Sequence, residues 1–162
     1  MAELEQPKKY YLDDHTVGQE FECSEHTLTA EEIIEFASSW DPQPWHIDEE
    51  MAKASMFGGL TACSAHIFSI FCITSQRWKN GGQMQALAGL GFDELRMHMP
   101  VFAGDTVRCF SVVDVARVSN SKPDRGVVTY ASRLVNQRDE VVFTCKCSTL
   151  MARDPELLAQ QG

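Results

Sequence analysis

The sequence predicts an α+β protein, a curled and mostly antiparallel sheet wrapped around one buried helix. Three observations predict it. Residues 64–78 place Ala65, Ile67, Phe68, Ile70, Phe71, Cys72 and Ile73 on nearly every face of a helix, and a helix apolar all round is a buried one. Beyond Gly81-Gly82 the character changes, and residues 87–99, 106–118, 126–136 and 141–152 read as strands. The links between them are short and rich in turn residues, which predicts an antiparallel meander. Such a sheet has to curl to cover the helix.

The elements before that helix follow in order. Residues 21–27 alternate as a short strand. Thr29-Ala30-Glu31-Glu32 has the form of a capping box. Ile33, Ile34, Phe36, Ala37 and Trp40 then recur at helical spacing, and the helix ends before Pro42. Asp48 is placed to cap a short helix through Ala54, which Phe57-Gly58-Gly59 breaks. A chain of 162 residues is the size of one domain, and its 44% hydrophobic content suits a single core. We expect that domain over residues 16–153, with a polar segment before it (1–15) and a polar tail after it (154–162).

Charge and cysteine usage exclude several classes. A net charge of −9 argues against nucleic acid as partner, since phosphate binding needs clustered Lys and Arg. No run reaches the roughly 20 apolar residues of a membrane span. Residues 1–14 lack the apolar stretch of a secretory signal, so a cytoplasmic protein with reduced thiols is expected. The six cysteines have no C-x-x-C pair or other ligand spacing, and the five histidines do not cluster; no metal is expected. Cys145 and Cys147 alternate onto one strand face with Phe143 and Thr149.

The residues with chemistry lie in Asp41-Pro42-Gln43-Pro44-Trp45-His46, followed by Phe57-Gly58-Gly59-Leu60. Each proline fixes its own φ and pushes its predecessor towards extended geometry. The five-residue offset from Asp41 to His46 is therefore expected to belong to a stiff loop rather than one helix face. A carboxylate with an imidazole can move a proton or orient a water. Taken alone, the same pair could cap a helix or satisfy a buried amide.

In this order of elements the chain resembles the MaoC-like dehydratases, which include the (R)-specific enoyl-CoA hydratases. Asp41, Gln43-Pro44 and His46 are spaced as that family's Asp, Asn-Pro and His. The resemblance extends through residues 56–62 (Met-Phe-Gly-Gly-Leu-Thr-Ala), 99–107 (Met-Pro-Val-Phe-Ala-Gly-Asp-Thr-Val) and the hairpin 117–126, covering roughly residues 16–152. Gln43 stands where Asn is usual, Trp45 is bulkier than the usual residue, and Ser64 takes the place of a Gly at the start of the central helix. The resemblance implies the hot-dog fold and a hydratase/dehydratase of fatty acid metabolism acting on 2-enoyl-CoA and 3-hydroxyacyl-CoA thioesters. Coenzyme A would enter as part of the substrate, with no separate cofactor. Asp41 would take the water's proton, His46 would orient the water, and the Ser64 backbone N–H would face the thioester oxygen. The Ser64 hydroxyl either adds a contact or only caps the helix.

Trp45, Met56, Phe57 and Gly59 lie beside the motif and are candidate substrate-binding residues. Arg117, Lys122 and Arg125 either solubilise their hairpin or meet the phosphates of coenzyme A. His66 fits a satisfied core or interface histidine, and His15, His26 and His98 fit isolated surface or strand positions. A thioesterase, or a non-catalytic subunit that binds acyl thioesters, is the alternative function. One such unit leaves a sheet edge and an apolar flank uncovered, so a homodimer or larger homo-oligomer is expected.

Overall fold

A computed structural model describes residues 7–160. After β1 (Lys9–Tyr10) and a 3₁₀ turn (Leu12–Asp14) come β2 (Glu20–Thr27), α1 (Ala30–Trp40), α2 (Pro44–Ile47), α3 (Glu49–Ala54) and α4 (Ser64–Ser75). Then follow β3 (Gln83–Met84), β4 (Ala86–Met97), β5 (Thr106–Val118), β6 (Arg125–Val135), β7 (Val141–Ala152) and α5 (Pro155–Gln160). The main sheet has the order β2-β5-β6-β7-β4, antiparallel throughout. It curls around α4 as the hot-dog fold.

The N-caps expected for α1 and α3 are present, but the α1 capping box is only half formed, since the Glu32 carboxylate meets His26 and His66 rather than the Thr29 N–H. Thr29 Oγ1 accepts from the Glu32 backbone N–H at 3.1 Å, and Asp48 Oδ1 accepts from that of Met51 at 2.8 Å. The core lies between α4 and the concave face of the sheet. Ile67, Ile70 and Phe71 meet Val107, Cys109, Leu134, Val142, Phe143 and Cys145 there, with the Phe71 and Phe143 rings 5.2 Å apart. Four of the six cysteines are buried, and none of the six forms a disulfide.

Three expectations are corrected. The meander holds for β5-β6-β7 only, because β4 pairs with β7 at the far edge of the sheet. The link after β4 instead runs beside the segment that leads into α4: the Ala62 N–H donates to the Val101 carbonyl, and Thr61 bridges to Phe102. The central helix stops at Ser75, not Trp78. Trp78 bridges to Cys23 and stacks on Phe21 at 4.1 Å, contacts a continuing helix would forfeit.

The described part of the N-terminal segment is not separate from the domain. Leu12 packs with Val113, Val128, Tyr130 and Met151 in a second cluster over the far half of the sheet, and the Asp13 carboxylate pairs with Arg153 at 2.8 Å. Residues 1–6 of that segment lie outside the described residues, as do 161–162 of the tail. The rest of the tail forms α5. As expected of one such unit, part of α4 stays uncovered: Ile73 is 41% exposed, and Ser64, Ala65 and Ser69 also face outward.

Candidate active site

Two prolines and a short helix build the site. Asp41 ends α1 as its C-cap, its N–H bonded to the Ala37 carbonyl at 2.8 Å. Gln43 is extended and caps α2, where Pro44 takes the first position, the one place a helix loses nothing from a missing N–H. His46 thus sits on a one-turn helix rather than in an open loop, and Asp41 on the end of the helix before it. That turn folds the two side chains together, with Asp41 Oδ2 4.0 Å from His46 Nε2. His46 is buried, while the Asp41 side chain remains 40% exposed.

The protonation pattern of His46 follows from its partners. Nδ1 lies 2.6 Å from the Thr61 carbonyl oxygen, which can only accept. The Trp45 indole Nε1–H, which can only donate, points at Nε2 from 3.1 Å. The ring is therefore neutral, protonated on Nδ1, with its lone pair on Nε2. The sequence marks Thr61 only as part of the stretch 56–62 and not as a site residue, because its main contact is through a backbone carbonyl; its Oγ1 adds a longer contact to Nδ1 at 3.3 Å.

Ser64 is the first residue of α4, preceded by Cys63 as N-cap, and no side chain caps this helix terminus. The Ser64 hydroxyl therefore does not cap, and the N–H groups of the first turn have no partner within the helix. Thr61 lies three residues upstream, so this terminus opens within roughly 11 Å of the segment that anchors His46. Of the other candidates, Phe57 packs near Trp45, ring centroids 6.1 Å apart, and Gly59 lies under the Phe102 ring. Met56 is 92% exposed on the surface.

The basic hairpin is not brought to this pair within one chain. Arg117 lies eleven residues along β5 from its start, and among the described residues no hydrogen bond or ion pair joins Arg117, Lys122 or Arg125 to Asp41 or His46. Arg125 forms a two-pronged pair with Asp124 at 2.9 and 2.7 Å.

His66 and His26 are not isolated. Both donate from Nε2 to Glu32 Oε1, at 3.2 and 2.7 Å, and His66 stacks on Phe36 at 4.4 Å. His66 is buried with Nδ1 unpartnered, so it is only half satisfied. Burial pushes the Glu32 carboxyl up, but its bonds and charge interactions with His26 and His66 outweigh this and hold it below its ordinary range. Burial lowers His66, against the raising effect of Glu32. His15 is also buried, its Nε2 2.7 Å from the Tyr130 hydroxyl. His98, exposed beside Thr144, fits its expected surface placement. Among the described residues no group of three or more His, Cys, Asp or Glu could hold a metal ion, and no helix is long and apolar enough to cross a membrane.

A cavity of about 250 Å³ lies beside the C-terminal half of α4, lined mainly by Phe71, Cys72, Trp78, Met84, Phe92 and Tyr130. It flanks β4, the edge strand.

An antiparallel sheet curled on one central helix, with short helices carrying Asp41 and His46 ahead of it, is the arrangement of a hot-dog protein. The MaoC like domain model matches residues 13–136, and the chain belongs to that family. A MaoC-like dehydratase from Rhodospirillum rubrum is 35% identical, with a TM-score of 0.80 over 90% of this chain and 99% of that one. The uncharacterized protein YdeM of Bacillus subtilis is 28% identical over 144 residues, 88% of this chain and 99% of that protein. The R-hydratase PhaJ1 of Pseudomonas aeruginosa, 22% identical, shares the fold with a TM-score of 0.68 over 89% of this chain and 86% of that one.

Proposed function

We propose that the protein is a hydratase/dehydratase of 2-enoyl and 3-hydroxyacyl thioesters, with coenzyme A as the thiol. One observation carries this: two acceptors, Asp41 Oδ2 and His46 Nε2, stand 4.0 Å apart. A water that donates both its hydrogens at ordinary lengths spans acceptors roughly 4 to 4.5 Å apart, and its oxygen lone pairs then face away from both. In hydration that oxygen attacks Cβ while Asp41 takes the water's proton. The electron pair of the double bond moves towards the thioester oxygen, where the Ser64 N–H and the α4 dipole stabilise the charge. The proton held by the pair then returns to Cα, and dehydration is the reverse. The name of the Rhodospirillum relative, a MaoC-like dehydratase, supports this type of reaction.

If the acyl chain runs along α4 from the pair, the cavity at the C-terminal half of that helix would receive its end; an apolar cavity of about 150 Å³ is enough for benzene. β4 exposes Leu87, Leu90 and Phe92 along the sheet edge, and α4 leaves Ile73 uncovered. A second copy paired there would extend the sheet, lay the two α4 helices side by side and bring its basic hairpin towards the neighbouring site.

The test is a spectrophotometric assay with crotonyl-CoA. Loss of the enoyl absorbance without release of free thiol supports the proposal, and thiol release would mark a thioesterase instead. No change in either, across enoyl-CoA esters of several lengths, would refute the enzymatic reading.

A further inference from the structure

Both ring nitrogens of His46 are engaged by this chain. The Thr61 carbonyl, 2.6 Å from Nδ1, already fixes the tautomer and the ring plane. The second contact, from the Trp45 indole N–H to Nε2 at 3.1 Å, is not needed to place the proton on Nδ1, and it leaves Nε2 unprotonated. It does occupy the lone pair. An unprotonated imidazole nitrogen has one lone pair in the ring plane and accepts one strong hydrogen bond. A water donating to Nε2 from the Asp41 side therefore competes directly with the indole. Trp45 is the neighbouring residue on the same helical turn, and it is only partly buried, against Phe57. It can withdraw without dismantling the anchor of His46.

We infer that Trp45 is a positioning residue of the site, whose indole N–H masks Nε2 of His46 in the resting protein and yields it to the water when an acyl thioester fills the site. This rests on the reading of His46 as the group that holds the water. Unmasking exchanges one neutral hydrogen bond for another, so its effect on rate is modest and its sign is diagnostic. A residue that merely packs, or one that works in the transition state, lowers activity when altered. A mask raises it.

The test compares the wild type with Trp45→Phe and with a semisynthetic protein carrying 3-benzothienylalanine at position 45, which keeps the shape of the indole and lacks only the N–H. We expect kcat/KM for crotonyl-CoA hydration to rise about 2- to 10-fold in the benzothienyl protein, the range that one neutral hydrogen bond represents. In wild type, the Trp45 indole proton, identified by its absence in Trp45→Phe, should shift in the NMR spectrum on saturation with 3-hydroxybutyryl-CoA. It should also shift in His46→Ala without ligand. A benzothienyl protein unchanged within twofold, or slower, overturns the inference even if Trp45→Phe misfolds. So does an indole signal that neither ligand nor His46→Ala moves. If His46→Ala hydrates crotonyl-CoA at the wild-type rate, the site reading itself falls and the masking role falls with it. If His46→Ala is inactive and the benzothienyl protein is no faster, the masking role falls alone.

Discussion

Asp41 reaches His46 across the end of one helix and the single turn of the next, Oδ2 to Nε2 at 4.0 Å. Neither side chain needs the other for its fold: Asp41 caps α1 through its backbone, and His46 is held by the Thr61 carbonyl. Asp41→Asn and His46→Ala should therefore leave the folded protein intact. Each should slow crotonyl-CoA hydration by about 10²- to 10⁴-fold, the scale of a positioned acid or base. Wild-type turnover in both variants, with unchanged circular dichroism, would remove the pair from the mechanism.

Acid should weaken the fold, beginning near pH 6.5. Burial holds His15 and His66 below the ordinary histidine value, so below about pH 6.5 the unfolded chain takes up protons that the folded chain resists, and stability declines as pH falls. Glu32 is held below its ordinary value as well, once burial is outweighed by the two histidines. Its contribution is present above the unfolded carboxyl range and is lost as pH falls through the lower folded value. Urea midpoints measured from pH 8 to pH 4 should fall steadily, and His66→Gln should flatten the part between about 6.5 and 5. Equal midpoints at pH 8 and pH 5 would contradict this assignment.

Tyr130→Phe removes the hydroxyl that meets buried His15 Nε2 at 2.7 Å. A buried acceptor left without its donor costs about 1–3 kcal/mol, and the effect should appear in chemical denaturation. Because His15 and Leu12 hold the N-terminal segment on the sheet, the same variant should speed proteolysis within residues 7–18. Unaltered stability and protection would show that this segment docks without the bond.

Two glycines should respond in opposite ways to alanine. A Cβ at Gly126 would stand 2.2 Å from the Arg117 carbonyl oxygen and 2.7 Å from Leu12 Cδ2, so the β5–β6 hairpin would have to move. Gly126→Ala should lose about 1–3 kcal/mol, the range for overpacking. At Gly59 the nearest atom is Phe102 Cδ1 at 3.5 Å, an ordinary contact. Gly59→Ala should fold as the wild type does, which makes it a clean probe of whether that position touches substrate. Equal melting temperatures for the two variants would refute the distinction.

Assembly is testable at the β4 edge. Sedimentation should show a dimer at micromolar concentration, and Leu90→Asp with Phe92→Asp should yield monomers by placing charge on a paired edge. A stable wild-type monomer with full activity would sink the paired-sheet arrangement and the reach of Arg117, Lys122 and Arg125 towards a neighbouring site.

Local pattern was enough to read most elements. β5 and β7 fall on their predicted residues, and α1 and α3 begin at the predicted caps, because capping, alternation and proline restriction act over a few residues. Alternation could not say which strand β4 pairs with, since that depends on the path of the link after it, which runs beside residues 60–62. The two prolines marked the bend between Asp41 and His46, but not the helical turn that closes it.

The sequence alone determined that an acid, an imidazole and a helix start occur together ahead of a curled sheet, because residue type and spacing are written in it directly. Only the tertiary structure decided that Thr61 sets the tautomer of His46 and that Trp45 occupies its lone pair. The same holds for Glu32 gathering two histidines, and for residues 9–15 closing the far half of the core. Those facts depend on backbone carbonyls and on side chains meeting across the fold. Such groups carry no signature in sequence, and their partners are chosen by packing.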